Sequence, residues 1–184
     1  MPVTIFLLRA VNLGGATTIK MEALRGIAEA LGFRHPTTLL QSGNLVASHD
    51  GTPAEAAARL EAALAKEFPY APGVIARSRS ELSEAIETNP LPLSAGQDPK
   101  SLQYIALAST PEPGALERLT AGYAGPETIA LRGSDLFVYY AEGVGRSKLT
   151  NALIERRLGV KGTARNWNTV LKLASLAGEI AARG

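Results

Sequence analysis

Two groups of residues in this chain carry side chains that could do chemistry. One is Gly145-Arg146-Ser147-Lys148, two cations and a hydroxyl next to a glycine, with Arg165, Asn166 and Asn168 further along the chain. The other is Arg9, Asn12, Gly14 and Gly15, together with Gln41, Ser42, Gly43 and Asn44. Cationic heads, side-chain amides and glycine backbone that a ligand can approach closely are what a carboxylate or phosphate site needs. A helix expected to begin at Lys148 would place the positive end of its dipole and its free N–H groups beside Arg146. The spacing is not that of a Walker A loop, because no lysine directly follows the last glycine. Each feature also has a plain structural reading. Ser147 and Asn166 can cap helices, and glycine and asparagine are the residues that tight turns require.

Other chemistries have little to stand on. The chain has no cysteine, which excludes disulfides, thiolate metal sites and a cysteine nucleophile. His35 and His49 are the only histidines, too far apart for a metal cluster, and both read as solvated. The three aspartates, Asp50, Asp98 and Asp135, fall in predicted turns, so paired-carboxylate hydrolysis and carboxylate-held magnesium are not indicated. Neither Ser42 nor Ser147 has a predicted histidine base beside it, so no catalytic residue is assigned, and no metal or cofactor is called for.

The elements that must position these groups follow from pattern. Val3 to Leu8 is an apolar run ending in a polar loop, and Met21, Leu24, Ala28 and Leu31 mark a helix stopped by Gly32. Thr37–Leu40 and Leu45–Ala47 flank a hairpin turn at Gln41-Ser42-Gly43-Asn44. Thr52-Pro53-Ala54-Glu55 has the form of a capping box before a helix, and Val74–Arg77 reads as a strand. The order strand, helix, strand, strand, helix, strand is ferredoxin-like. Ser78 and Glu81 cap one extra helix, and the Pro/Gly-rich stretch 91–100 reads as a linker between residues 1–90 and 101–184. Beyond it the order returns: strand Leu102–Ala108, helix Ala115–Leu119, strands Thr128–Leu131 and Leu136–Tyr140, helix Lys148–Leu158, strand Gly162–Arg165. A last helix from Trp167 carries Val170, Leu171 and Ala174 on one stripe. The expected fold is therefore α+β, two ferredoxin-like βαββαβ halves (a duplicated split βαβ) whose antiparallel or mixed sheets carry helices on one face.

In this order the first two strands of a half run parallel, so Arg9–Gly15 should lie near Gln41–Asn44. The same reasoning brings Gly145–Lys148 toward Arg165 and Asn166. Trp167 reads as a core anchor. Tyr104, Phe137 and Tyr139 would sit on two strands of the second half, an arrangement that RNA-binding sheets use for base stacking, although the basic–glycine–aromatic signature is absent.

With 184 residues, 46% apolar and 20% charged, the chain is long enough to bury a core. Nineteen Lys and Arg against 17 Asp and Glu leave a net charge of only +2, too even for a nucleic-acid footprint to be read from charge. No run approaches the ~20 apolar residues that span a bilayer, and no leader pattern opens the chain, so a cytoplasmic protein with no membrane partner is expected.

The motifs Leu7-Leu8-Arg9-Ala10-Val11-Asn12-Leu13-Gly14-Gly15, Leu31-Gly32-Phe33, Gln41-Ser42-Gly43-Asn44, Gly143-Val144-Gly145-Arg146-Ser147-Lys148-Leu149-Thr150 and Arg165-Asn166-Trp167-Asn168-Thr169-Val170 occur in one order along nearly the whole chain. In wording and order they resemble the bacterial domain-of-unknown-function family 1697. Ala10 departs from the glycine usual there, and Ala47 stands where an aromatic or apolar residue is commoner. The resemblance implies an α+β protein of two ferredoxin-like parts and brings no activity, cofactor or catalytic residue. The residues themselves point first to a protein that binds an anionic or phosphate-containing small molecule through Arg146, Ser147, Lys148 and Arg165, with Arg9, Gln41 and Asn44 as further candidates across an interdomain cleft; whether the two loop edges share that cleft is not set by the sequence. An RNA- or DNA-binding module using the sheet aromatics and a cofactor-independent enzyme with a polar interdomain site are the alternatives.

Overall fold

The computed structural model describes residues 1–9, 18–70 and 72–183. Its elements, numbered in chain order, alternate as the hydropathy pattern requires. In the first half they are β1 (Val3–Leu8), α1 (Met21–Ala30), β2 (Arg34–Thr38), β3 (Asn44–Ser48), α2 (Pro53–Glu67), β4 (Val74–Ser78) and α3 (Arg79–Glu87). The second half repeats the order with β5 (Leu102–Leu107), α4 (Ala115–Thr120), β6 (Thr128–Arg132), β7 (Asp135–Tyr139), α5 (Asn151–Leu158), β8 (Gly162–Asn166) and α6 (Trp167–Ala181). A single 3₁₀ turn, Val144–Arg146, precedes α5. The chain divides into two units, Met1–Glu84 with Lys172–Gly184, and Ala85–Leu171.

Each unit holds one four-stranded sheet, ordered β2-β3-β1-β4 and β6-β7-β5-β8, with every neighbouring pair antiparallel. The fold is therefore α+β, built from two βαββαβ halves. Local chemistry sets the helix ends. Gly32, at φ 78°, ends α1 in a Schellman arrangement: Phe33 N–H donates to Ala28 O and Gly32 N–H to Glu29 O. Thr52 and Glu55 complete the capping box of α2. Ser78 and Glu81 make the same reciprocal pair at α3, with Glu81 N–H donating to Ser78 Oγ and Ser78 N–H to Glu81 Oε2.

The cores follow from amphipathic faces meeting sheets. In the first unit Phe6, Leu8, Leu45 and Ala47 pack with Leu24, Ala28, Leu60 and Leu64 of α1 and α2. In the second, Ile105, Leu107, Leu136 and Val138 pack with Leu119, Ile154 and Leu158. Burying side chains of this size contributes about 1.5–3 kcal/mol each.

The halves match at the level of single residues. Leu8 N–H donates to Gly43 O and Leu107 N–H to Ser134 O, tying the end of each first strand to its hairpin. Arg9 N–H donates to Gly73 O and Ala108 N–H to Lys161 O, tying it to the start of the last strand. Glu61 Oε2 accepts from Val74 N–H and Glu155 Oε1 from Gly162 N–H, in each case at the first residue of that last strand. Arg77 and Arg165, both buried, hold the fourth position of β4 and β8 and donate to the carbonyls of Ala76 and Ala164.

Three expectations are corrected. His49 is fully buried, its ring bonding Thr4 Oγ1 and the Asp50 carbonyl and packing beside Phe6 and Phe33. Its polar flanks Ser48 and Asp50 mask the fact that it continues β3 into the core. The buried stripe of α6 is Val170, Leu173, Ala177 and Ile180, while Leu171 is exposed. Helix α5 starts at Asn151, three residues later than the hydropathy suggested, because Thr150 is its cap and accepts from Leu153 N–H.

Candidate functional site

The predicted approach of β1's end to the β2–β3 hairpin occurs, through the Leu8–Gly43 hydrogen bond of 2.8 Å. The Arg9 side chain lies over Gly73. Gln41 and Ser42 are exposed at the hairpin tip, whereas Asn44 is fully buried. Its amide donates to Leu39 O at 2.8 Å and to Ser42 Oγ at 2.9 Å. Asn44 thus shapes the turn from inside. The positive φ that glycine and asparagine were expected to supply is taken by Gly43 and by Leu40, at 74° and 60°. Asn12, Gly14 and Gly15 lie outside the described residues.

In the second unit, Arg165 and Asn166 are held on β8. Arg165 stands directly across the ladder from Tyr104, whose other neighbour is Phe137. Tyr104 and Phe137 meet edge to face and Phe137 packs on Trp167, so this strand position is surrounded by buried rings. The guanidinium donates to Thr163 Oγ1 and Ala164 O at 2.8 Å each, and burial pushes its pKa down to about 10, still charged at neutral pH. Asn166 Oδ1 accepts from Thr169 N–H and Oγ1, which makes Asn166 the cap of α6; Asn168 follows in its first turn.

Arg146, Ser147 and Lys148 come together elsewhere, against the Gly122–Glu127 loop that leads into β6, while Gly145 precedes them in the exposed 3₁₀ turn and does not line the cavity they form with that loop. Strands β7 and β5 lie between β6 and β8, which puts roughly 14 Å of sheet between β6 and Arg165's strand. The joint of this second cluster is Glu127. Ser147 Oγ donates to its Oε1 in a short hydrogen bond, and Tyr123 OH donates to its Oε2 at 2.6 Å. Ser147 in turn accepts from Leu149 N–H at 2.9 Å, and the Leu149 carbonyl accepts from buried Tyr140 OH. The Ser147 side chain therefore does not cap α5, whose cap is Thr150; it pins its own segment to the loop opposite. Gly125 makes this possible, because a Cβ there would collide with both Glu127 Oε2 and the Tyr123 hydroxyl.

The electrostatics follow. Partial burial alone would raise the Glu127 carboxyl, but the hydroxyls of Ser147 and Tyr123 outweigh it and hold the group below the ordinary carboxylate value. Burial, helped by that carboxylate accepting its proton, raises Tyr123; burial raises Tyr140 further. A cavity of about 480 Å³ opens over this network, with Arg146, Lys148 and Glu142 exposed around it. Among the described residues none of these three makes an ion pair. Sequence reasoning missed Tyr123 and Glu127, which no local spacing connects to Ser147. The available signal was the string Tyr123-Ala124-Gly125-Pro126-Glu127, an aromatic hydroxyl and an acid separated by a glycine.

The model of a family described as a protein of unknown function matches residues 1–137 of the chain. The chain belongs to the DUF1697 family. The match ends at Phe137, before the 145–148 segment. Among solved structures, the conserved bacterial protein SP0830 from Streptococcus pneumoniae is similar with a TM-score of 0.69 and 18% identity, covering 96% of this chain and 98% of that one. At that identity the likeness is one of fold. No curated protein matches the chain. Among the described residues no helix is long and apolar enough to cross a membrane, and no group of three or more acids and histidines could hold a metal.

Proposed function

We propose that this DUF1697 protein binds an anionic or phosphate-containing small molecule in the cavity between the Gly122–Glu127 loop and the Glu142–Lys148 segment. One observation carries the reading: Arg146 and Lys148, without an ion pair among the described residues, stand at a cavity of ligand size whose floor is fixed by the Ser147–Glu127–Tyr123 hydrogen bonds. Single small-molecule sites are typically about 300–1,000 Å³ with a few placed polar groups, and this one falls in the lower half of that range. A fixed floor matters because a site already in its bound geometry loses less entropy on binding. Base stacking on the sheet is disfavoured, since Tyr104 and Phe137 are fully buried and the Tyr104 hydroxyl is engaged by Asp135.

The test is a thermal-shift screen against organic acids, phosphate esters, nucleotides and short oligonucleotides, run on wild type and on Arg146→Ala/Lys148→Ala. A ligand at 100 times its Kd stabilises by about 2.7 kcal/mol. Stabilisation by an anion class that vanishes in the double variant is the expected result. A screen with no shift, or shifts equal in both proteins, removes the reading.

A further inference from the structure

The signs of the charges around the cavity say more about the ligand than that it is an anion. Arg146 and Lys148 are accompanied by Glu127 and Glu142, so the lining holds two cations and two carboxylates. A site for a bare polyanion would be cationic throughout, because a carboxylate facing the ligand repels it by about as much as a cation at the same distance attracts it. Glu127 cannot be dismissed as the neutralising partner of the cations, since what engages its two oxygens is two neutral hydroxyls. A carboxylate offers about four acceptor positions. Tyr123 and Ser147 use one on each oxygen, leaving about two for donors arriving from the cavity. Glu142, exposed on the same rim and without an ion pair among the described residues, adds an acceptor outside that network.

Resting on the reading above, we infer that the ligand is a hydroxylated phosphate monoester, its phosphate on Arg146 and Lys148 and its hydroxyl groups donating to Glu127 and Glu142. The donors on the ligand and the acceptors in the site then account for the mixed lining, which phosphate alone does not. The same recognition rejects nucleoside triphosphates, whose extra negative charge would meet the two glutamates.

The experiment is calorimetric titration of the full chain with inorganic phosphate, glucose 6-phosphate, glycerol 3-phosphate, glucose and ATP, with phosphatidylglycerol vesicles as the lipid arm. Wild type, Glu142→Gln and Arg146→Ala/Lys148→Ala are compared. The expected result is a hydroxylated monoester bound at least about tenfold tighter than inorganic phosphate, ~1.4 kcal/mol. Glu142→Gln should shrink that ratio severalfold without weakening inorganic phosphate, and the double cation variant should lose both. Inorganic phosphate or ATP binding as tightly as the esters, or Glu142→Gln tightening every anion alike, would overturn the ligand class while leaving the anion site standing. Preference for the vesicles over the soluble esters would overturn it in favour of a lipid headgroup. If no anion binds any protein, the site itself is wrong. Because Glu142 is exposed and outside the Ser147–Glu127–Tyr123 network, its variant separates ligand contact from folding.

Discussion

Gly125→Ala gives the sharpest test of the Ser147–Glu127–Tyr123 floor. The Gly125 backbone lies outside the left-handed region, so alanine meets no φ penalty and would ordinarily stabilise by about 0.4–1 kcal/mol through the unfolded chain. Against this, the added Cβ occupies space now held by the Tyr123 hydroxyl and ring Cζ and by Glu127 Oε2, and both side chains must move. The hydrogen bond between them, 2.6 Å long, is then lost. Bonds to charged groups contribute about 1.5–3 kcal/mol, reduced here to about 1–2 because both side chains are only partly buried. The net expectation is destabilisation by up to about 1.6 kcal/mol, a fall in Tm of up to about 6 °C for a chain of this size. Thermal denaturation followed by circular dichroism reads it directly. In a Tyr123→Phe background the hydrogen bond is already gone while the ring carbon still meets the new Cβ, so the further loss on adding Gly125→Ala should be smaller than in wild type. A stabilising Gly125→Ala, or full additivity with Tyr123→Phe, would refute the account of the floor.

Two further outcomes follow. The folded Glu127 carboxyl lies below its unfolded value, so the stability it contributes is present above the unfolded pKa and is lost as pH falls through the lower, folded one. The Tm difference between wild type and Glu127→Gln should therefore narrow as pH is lowered from about 5 to about 3; a difference unchanged over that range would contradict it. Asn44→Ala removes two buried amide donations, to Leu39 O and Ser42 Oγ, and should cost about 1–3 kcal/mol in urea denaturation with the m-value unchanged.

What could be read from the sequence was what local chemistry or topology decides. The Thr52–Glu55 and Ser78–Glu81 boxes and the Gly32 stop are set within a few residues, and all three form. The parallel course of β1 and β2 follows from element order alone, and it brings the end of β1, at Leu8, to Gly43 of the hairpin. Ser147 was misread because its position before a predicted helix suggests a cap, while its hydroxyl is captured by an acid twenty residues earlier in the chain. Thr150, three residues nearer the helix, does the capping instead. Topology applied in the same way to the second half places Arg165 beside the cation cluster, yet the alternation of β8 turns it onto the buried face beside Tyr104, with two strands between it and β6. Such errors arise wherever a side chain's partner is chosen by tertiary approach.

The carboxylates of Glu61 and Glu155 bear on a hazard that every tandem duplication faces. Two halves with one strand order offer each closing strand two places to dock, its own sheet and the copy's, and misassembly between repeats is a characteristic failure of such chains. Here each closing strand is tethered at its first residue by an acid only 13 or 7 positions away. Contacts that short close far faster than a search across the whole chain. Each tether, a hydrogen bond of about 0.5–1.5 kcal/mol, thereby biases its strand toward its own half over the copy's sheet.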